Sequence, residues 1–278
     1  MNHETALSNA KEIADSVLAP AARQNDKEGR FSSEAVAAFG RAGLLGMMLP
    51  AAVGGFALGP RTFAGVVATL AEADASVANA RGLSVAGPWD GLGLRANASA
   101  PITFEDCEVT PECQLTEDGA GLQTMLQVVL PLFNLGTAAV ALGLCRAAVA
   151  ATAAHLKSAR FEHLGQSLGE SLPTSRAQLA TMQIDTDGLA ARIDDVIDHF
   201  ERPRETTMLR VLESKAAAGD VAIGVTSAAM RACGGAAFSK HMVVERLFRD
   251  AHAGAIMAPT GDVLREFIAR AVLEMPLF

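Results

Sequence analysis

The chain has 278 residues, of which 50% are hydrophobic and 19% charged, so it can form a substantial core and is not generally disordered. Its formal net charge of −8 argues against nucleic acid as the main partner, because no cluster of Lys or Arg offsets it. The cysteines lack a CxxC pair and a histidine at ligand spacing, which predicts reduced thiols in a cytoplasmic protein and no metal site. They are Cys107, Cys113, Cys145 and Cys233.

The first 80 residues are predicted to form an N-terminal helical domain. Apolar residues recur at helical spacing over residues 5–19, where Pro20 is expected to end the helix. Ser32 or Ser33 is a candidate N-cap for a helix over residues 34–39, and residues 61–80 repeat the helical pattern.

Residues 81–118 have a different composition, rich in Gly, Pro, Thr and Ser. Short extended stretches at residues 83–85, 100–104 and 107–109 predict the strands of a small β-domain. The boundaries of this second domain are placed at residues 81 and 118.

An uncharged run extends from Gly119 up to Arg146 and is long enough to span a bilayer. Gln123, Gln127 and Asn134 interrupt it and no basic residues flank it, so a helix buried on all faces in an oligomer is the favoured interpretation over a membrane span. A helix is predicted from residue 121 to about residue 160, with a kink at Pro131.

Three further helices are predicted over residues 173–200, 204–233 and from residue 260 onward. With the long helix they indicate an antiparallel four-helix bundle that occupies residues 119–278. The aspartates of the second helix are interpreted as a solvated face rather than metal ligands: Asp185, Asp187, Asp194, Asp195 and Asp198. The apolar helices exceed what one bundle can bury, which predicts oligomerisation.

Several motifs in order resemble the acyl-CoA dehydrogenase family. They are Gly43–Gly46 with Pro50 and Gly54–Gly55, Trp89–Ser99, Ile102–Pro111, Cys233–Phe238, the stretch Glu245–Ala251 with a charged turn predicted at Arg249–Ala251, and Ala258–Asp262. The resemblance implies a mainly α fold with an N-terminal helical layer, a remnant of a small β-domain and a C-terminal antiparallel four-helix bundle. Most of the family's middle β-domain has no counterpart in this sequence, including the stretch that packs against the flavin ring and the thioester.

The family oxidises the CH–CH bond of an acyl-CoA thioester, and its reaction needs a carboxylate to take the acidic α-proton. The resemblance places the family's glutamate at one of two positions, which here hold Ala258 and Phe133. No catalytic residue is therefore predicted. Asp262 and Glu266 are the nearest carboxylates that could replace the glutamate.

The resemblance also implies FAD as the cofactor and assigns contacts to it. The assigned residues are Arg160, Arg231, Gly234, Gly235, Thr260 and Asp262. Arg160 would reach the flavin pyrophosphate of a neighbouring subunit, and the glycine pair would let the backbone approach the cofactor. The simpler alternatives are a surface arginine at a helix end and an ordinary helix C-cap.

Three functional hypotheses remain open at this stage. The first is an FAD-dependent oxidoreductase of acyl-CoA thioesters. The second is a non-catalytic helical subunit that assembles with an active paralogue in a hetero-oligomer. The third is a flavin-dependent monooxygenase of the same fold, which needs no glutamate. The expected partners are further copies of the chain in a dimer or tetramer, or an active paralogue, and acyl-CoA, but not nucleic acid or a membrane.

Overall fold

The computed structural model describes residues 1–73, 84–85, 90–97, 99, 102–103 and 116–276. The N-terminal helices are α1 (His3–Ile13), α2 (Ala19–Glu28), α3 (Ser33–Arg41) and α4 (Pro60–Ala73). The C-terminal helices are α5 (Gly121–Thr124), α6 (Leu130–Ser158), α7 (Leu168–Ser171), α8 (Pro173–Glu201), α9 (Thr207–Cys233), α10 (Val244–Ile256) and α11 (Gly261–Val272). Strand β1 (Ser84–Val85) pairs antiparallel with β2 (Ile102–Thr103), and β3 (Arg160–Phe161) pairs antiparallel with β4 (Gln166–Ser167). The predicted mainly α fold is confirmed.

Two prolines lie within long helices and are accommodated in the same way. A π-helical segment, Ala14–Leu18, joins α1 to α2, and Pro20 lies in the first turn of α2. A second π-helical segment, Met125–Val129, joins α5 to α6 just before Pro131. The wider π turn gives the proline ring room and absorbs its missing N–H. The prediction that Pro20 ends the first helix is therefore wrong, because the chain continues as a helix to Glu28.

The C-terminal helices form the predicted bundle around one core. Lys215 of α9 lies beside Phe133 of α6, and the Cys233 sulfur of α9 lies 3.8 Å from the Thr152 hydroxyl of α6. The helices α6 and α9 therefore run in the same direction and pack against each other, and α8, which follows α6 and precedes α9 in sequence, packs against both and runs in the opposite direction. The core includes Leu135, Leu142, Met182, Leu189, Ile193, Val211, Val225 and Leu247.

Small residues allow α10 to approach the bundle closely. A Cβ placed on Gly219 of α9 would lie 3.3 Å from the Ala255 Cα of α10, and one on Gly254 would lie 4.0 Å from the Thr137 side chain of α6. The charged turn predicted at residues 249–251 is wrong, because these residues lie within α10. Its charged and apolar residues lie on different faces of the helix, so that Leu247 and Ala251 are buried in the bundle while Arg249 bonds Asp26 of α2.

Other predicted boundaries differ in smaller ways. Between the long helix and residue 173, where the sequence predicts no helix or strand, the chain forms the β3–β4 hairpin and the short helix α7. Ser167 and Glu170 bond reciprocally as a capping box that starts α7. The helix predicted over residues 61–80 is described as far as Ala73, and residues 74–80, like the strand predicted at 107–109, lie outside the described residues.

Residues 90–97 are held between the N-terminal helices and the bundle. The Arg249 guanidinium donates to the Leu92 carbonyl at 2.9 Å, and the Leu94 N–H donates to the Asp250 carboxylate at 2.6 Å. A Cβ on Gly93 would lie 2.5 Å from the Arg249 carbonyl oxygen, so only glycine fits this close approach. The Arg95 side chain donates to the Asp26 carbonyl of α2 at 2.9 Å. This short segment therefore ties α2 to α10.

One helical stretch, Gly121–Ser158, is long and apolar enough to cross a membrane by length and composition. In the structure, 56% of the most apolar 18-residue segment of this stretch is buried. Packing against α4, α8 and α9 accounts for much of its apolar composition.

Candidate functional site

The two positions that the family resemblance assigns to a glutamate meet at one lysine. The Lys215 Nζ of α9 lies 5.4 Å from the centre of the Phe133 ring of α6. The same Nζ donates to the Met257 carbonyl at 2.8 Å and to the Pro259 carbonyl at 2.6 Å. These carbonyls belong to the residues on either side of Ala258. Two positions far apart in sequence therefore line one site, and neither supplies a carboxylate.

Local packing explains why the loop reaches Lys215. The contact of Ala255 with Gly219 brings the end of α10 down onto α9, one turn from Lys215. Helix α10 ends at Ile256, the Met257 N–H bonds the Ala253 carbonyl, and the chain then turns into α11. The Ala258–Pro259 peptide bond is cis. The last carbonyls of a helix lack partners within it, and a lysine can satisfy them.

The site is cationic. Lys215 is less than 2% exposed, and burial lowers the pKa of its ammonium group to about 8. Within the described residues the ammonium is stabilised by the two carbonyls and the face of the Phe133 ring, not by an ion pair. The two positions that the resemblance assigns to a glutamate, 133 and 258, therefore lie beside a buried hydrogen-bond donor and hold no carboxylate.

Two buried polar side chains flank this site in sequence. Asn134 follows Phe133 and is 0% exposed, and Ser214 precedes Lys215 and is 1% exposed. Neither the Asn134 amide nor the Ser214 hydroxyl makes a hydrogen bond within the described part of the chain. An unpaired buried polar group costs about 1–3 kcal/mol, so such groups are typical of functional sites rather than of a plain core.

Asp262 and Glu266 do not have the environment of a replacement base. The Asp262 side chain is fully exposed and lies 3.7 Å from Arg265. Glu266 is exposed and lies 4.0 Å from Arg270. A carboxylate becomes a competent base near neutral pH through burial, which neither residue has. Asp262 in the first turn of α11 is better explained by its favourable interaction with the helix dipole.

Thr260 begins α11 next to the Lys215 site. Its side chain accepts a hydrogen bond from the Val263 N–H at 3.4 Å, as an N-cap does. The free N–H groups at the start of this 12-residue helix give it the means to bind an anion such as a phosphate. Thr260 and Asp262 therefore lie together, close to Ala258.

The remaining predicted cofactor residues lie at the opposite end of α9. Arg231 is exposed in the last turn, and Gly234 and Gly235 follow it with exposed backbone. Gly234 has φ +58° and ψ −140°, a conformation that other residues avoid, and a Cβ on either glycine would meet nothing within 4 Å. Open space beside a glycine backbone fits the close approach of a ligand.

Arg160 is exposed at the start of β3 and donates to the Gly165 carbonyl at 2.8 Å, which closes the β3–β4 hairpin. It lies at the same end of the bundle as Gly234, because Thr152 of α6 contacts Cys233 of α9. At about 1.5 Å per residue, Gly234 is about 29 Å along α9 from Lys215. One chain therefore does not bring the Arg160–Gly234 group and the Thr260 group together.

Lys215 is the residue of this site that the sequence analysis does not single out. Its position did carry a signal, because it lies three residues after Leu212 and four before Gly219, on the face predicted to be buried. A single charged residue on such a face indicates a buried charge with specific partners. Those partners lie 42 and 44 residues away in sequence, and no local pattern reveals them.

Comparisons with known proteins agree with this architecture. The chain matches the family model of the acyl-CoA dehydrogenase N-terminal domain over residues 1–90 and that of the C-terminal domain over residues 119–273. The mitochondrial short-chain specific acyl-CoA dehydrogenase of Sus scrofa is 28% identical over 195 residues, which are 69% of this chain and 46% of that protein. The chain spans about half the length of the curated relatives it matches.

Two solved structures show the same fold. Butyryl-CoA dehydrogenase from Megasphaera elsdenii aligns with a TM-score of 0.86 and 18% identity, over 98% of this chain and 98% of that chain. Dibenzothiophene monooxygenase from Paenibacillus sp. A11-2 aligns with a TM-score of 0.85 and 18% identity, again over 98% of each chain. At these identities the likeness concerns the fold alone.

Proposed function

This chain belongs to the acyl-CoA dehydrogenase family, and we propose that it is a flavin- and acyl-CoA-binding member that does not oxidise the thioester on its own. The observation that carries this proposal is the meeting of Phe133 and Ala258 at Lys215. Loss of an essential general base costs about 10²–10⁴-fold in rate, so a chain without a carboxylate at either position is expected to bind ligand without turnover.

The residues present fit a flavin in two respects. The exposed Gly234–Gly235 backbone leaves room for a close approach, and the N-terminus of α11 at Thr260 suits a phosphate. A bound flavin would supply hydride acceptance, which no side chain can supply. The side chains contribute binding and orientation: Arg160 and Arg231 would attract the cofactor phosphates, and Lys215 would hold the loop beside the acyl group.

We propose FAD as the flavin, because the relative from Sus scrofa is an acyl-CoA dehydrogenase. Gly234 lies about 29 Å along α9 from Lys215, beside which Thr260 lies, and this separation supports a cofactor site shared between two subunits. An exposed apolar stripe at the start of the long helix supports the same assembly. It consists of Leu122, which is 71% exposed, with Met125 and Val128.

The partner subunit in this proposal is a second copy of the chain or an active paralogue that brings its own base. Measurement of the native mass of the purified protein tests the assembly. A mass equal to one chain, with no association when an acyl-CoA dehydrogenase of the same source is added, contradicts it.

The experiment that tests the activity is an anaerobic titration of the purified protein with butyryl-CoA. We expect a yellow protein whose flavin spectrum shifts on binding but does not bleach. Complete bleaching would show that a base is present and would overturn the proposal. A folded, colourless protein that retains no FAD after incubation with FAD and desalting would show that the chain does not bind the flavin.

A flavin monooxygenase is the second candidate. It is favoured by one observation, that the site lacks a carboxylate while the fold matches dibenzothiophene monooxygenase, of which an FMN-bound structure exists. Such an enzyme would be reduced by a separate flavin reductase and would then consume oxygen. Oxygen consumption that depends on both the reductase and an added aromatic substrate would establish this alternative.

A further inference from the structure

The ammonium of Lys215 joins two helix ends. Met257 is the residue that follows α10, and Pro259 is the residue before Thr260, the N-cap of α11. Both carbonyls accept a hydrogen bond from the same nitrogen, at 2.8 and 2.6 Å. A donor that binds the backbone on both sides of one residue fixes that residue, and here it is Ala258.

This arrangement is costly, because an ammonium group that is buried without a carboxylate partner loses its hydration without gaining an ion pair. Water could satisfy the carbonyls of an exposed turn at much lower cost. A lysine buried at this place therefore indicates that the conformation of the loop matters.

The charged groups around Lys215 are engaged elsewhere. Asp220 of α9 and Asp262 of α11 both pair with Arg265. On α9, Glu213 pairs with Arg210 at 2.9 Å. The facing part of α6, from residue 130 to residue 143, and the loop from residue 257 to residue 261 contain no titratable side chain.

Helix α10 presents His252, whose ring nitrogen lies 2.7 Å from the Phe248 carbonyl. The lowered pKa of Lys215 is therefore attributed to its burial.

We propose that Lys215 is a positioning residue, which holds the Met257–Thr260 loop against Phe133 and thereby fixes both position 258 and the N-terminus of α11. Its role in ligand binding rests on the proposed function, because the ligand contact would be made by Thr260 and the helix end. Its role in ordering the loop does not depend on any ligand.

The first test is hydrogen–deuterium exchange of the free protein, followed by mass spectrometry, for the wild type, Lys215→Met and the matched control Lys157→Met at an exposed lysine of α6. We expect amides of residues 256–264 to exchange about tenfold faster in Lys215→Met, since hydrogen bonds from a charged group are lost. Peptides from α8 should be unchanged, and Lys157→Met should match the wild type. Equal exchange of residues 256–264 in Lys215→Met and the wild type would overturn the proposal.

The second test separates positioning from mere packing and needs no variant that might fail to fold. After correction for intrinsic exchange, residues 256–264 of the wild type should gain protection as pH rises above about 8, because opening of the loop exposes the amine, returns its pKa towards 10.5 and therefore becomes less favourable as pH increases. The same residues in Lys215→Met should show no such step. A wild type with constant protection between pH 6.5 and about 9.5 would contradict the proposal, whatever the variant does.

The third test is a titration of each protein with FAD, followed by the quenching of flavin fluorescence. We expect Lys215→Met to weaken FAD binding about tenfold and Lys157→Met to leave it unchanged. A wild type that binds no FAD would defeat the proposed function, and the exchange experiments would still decide the role of Lys215 in the loop. FAD binding that is unchanged in Lys215→Met would refute its link to ligand binding.

Discussion

The carboxylate of Asp26 in α2 lies 2.7 Å from the guanidinium of Arg249 in α10. Both side chains are largely buried, and Glu245 contacts the same guanidinium at 2.9 Å. Burial opposes the charge of Arg249, but the hydrogen bonds to Asp26 and Glu245 outweigh it and raise the pKa of Arg249 above its ordinary value. Because Arg249 also binds the Leu92 carbonyl, three parts of the chain that are remote in sequence meet at this pair.

We expect Asp26→Ala to destabilise the protein by about 2 kcal/mol, because it leaves Arg249 buried with one fewer partner. Urea denaturation followed by circular dichroism measures the effect. The matched control is Asp15→Ala, which removes an exposed ion pair with Lys11 and should cost less than about 0.5 kcal/mol. Equal losses in the two variants would show that Arg249 does not join the parts of the chain.

The buried ammonium of Lys215 makes stability depend on pH in a defined direction. Its pKa is about 8 in the folded protein and 10.5 in an ordinary environment, so the unfolded chain binds more protons between these values. The free energy of unfolding of the wild type should therefore rise, relative to that of Lys215→Met, as pH increases from 8 to 10.5. The two values correspond to a total gain of about 3 kcal/mol.

Urea denaturation at pH 7.5 and at about pH 10 measures most of this gain, about 2 kcal/mol. Lys157→Met, at an exposed lysine, should show no comparable change relative to the wild type. If the difference in the free energy of unfolding between the wild type and Lys215→Met is the same at both pH values, burial does not lower the pKa of the Lys215 amine in the folded protein.

A carboxylate introduced beside Lys215 should restore part of the missing chemistry. Ala258→Glu and Phe133→Glu each place a carboxyl group next to the ammonium, and an opposite charge there should raise the pKa of Lys215. The pKa can be followed by NMR of labelled lysine. In the flavin-loaded protein we also expect butyryl-CoA to bleach these variants at least about 10²-fold faster than the wild type. Val263→Glu, which adds a carboxylate at an exposed position of α11, should do neither.

The Cys145 thiol should be unreactive in the folded protein. Burial raises the pKa of its thiol to about 12, and the side chain is fully buried in the bundle core. A thiol-specific reagent at pH 8 should therefore label equal numbers of cysteines in native Cys145→Ser and in the native wild type. In urea, the variant should lose one labelled cysteine. One fewer labelled thiol in the native variant would show that the core opens at α6.

The sequence predicted the helices of the bundle because their apolar residues repeat at three- and four-residue steps, as in α9. It did not predict the continuation through Pro20, because the π turn that accommodates a proline has no sequence signature of its own. The turn predicted within α10 is wrong because Arg249 is paired with Asp26 of a distant helix, a partner that no local sequence pattern reveals. Ala258 and Phe133 were identified, but their meeting at Lys215 depends on three separate helices.

The placement of the assigned cofactor residues at opposite ends of α9 has a genetic consequence. If two subunits complete one site, each site takes the Arg160–Gly234 end from one copy and the Thr260 end from the other. Two variants that do not bind flavin, one altered at Gly234 and one at Thr260, should then regain flavin binding when they are produced in the same cell. About half the sites of a mixed dimer would be built entirely from unaltered residues, so intragenic complementation would report the geometry without a structure of the complex.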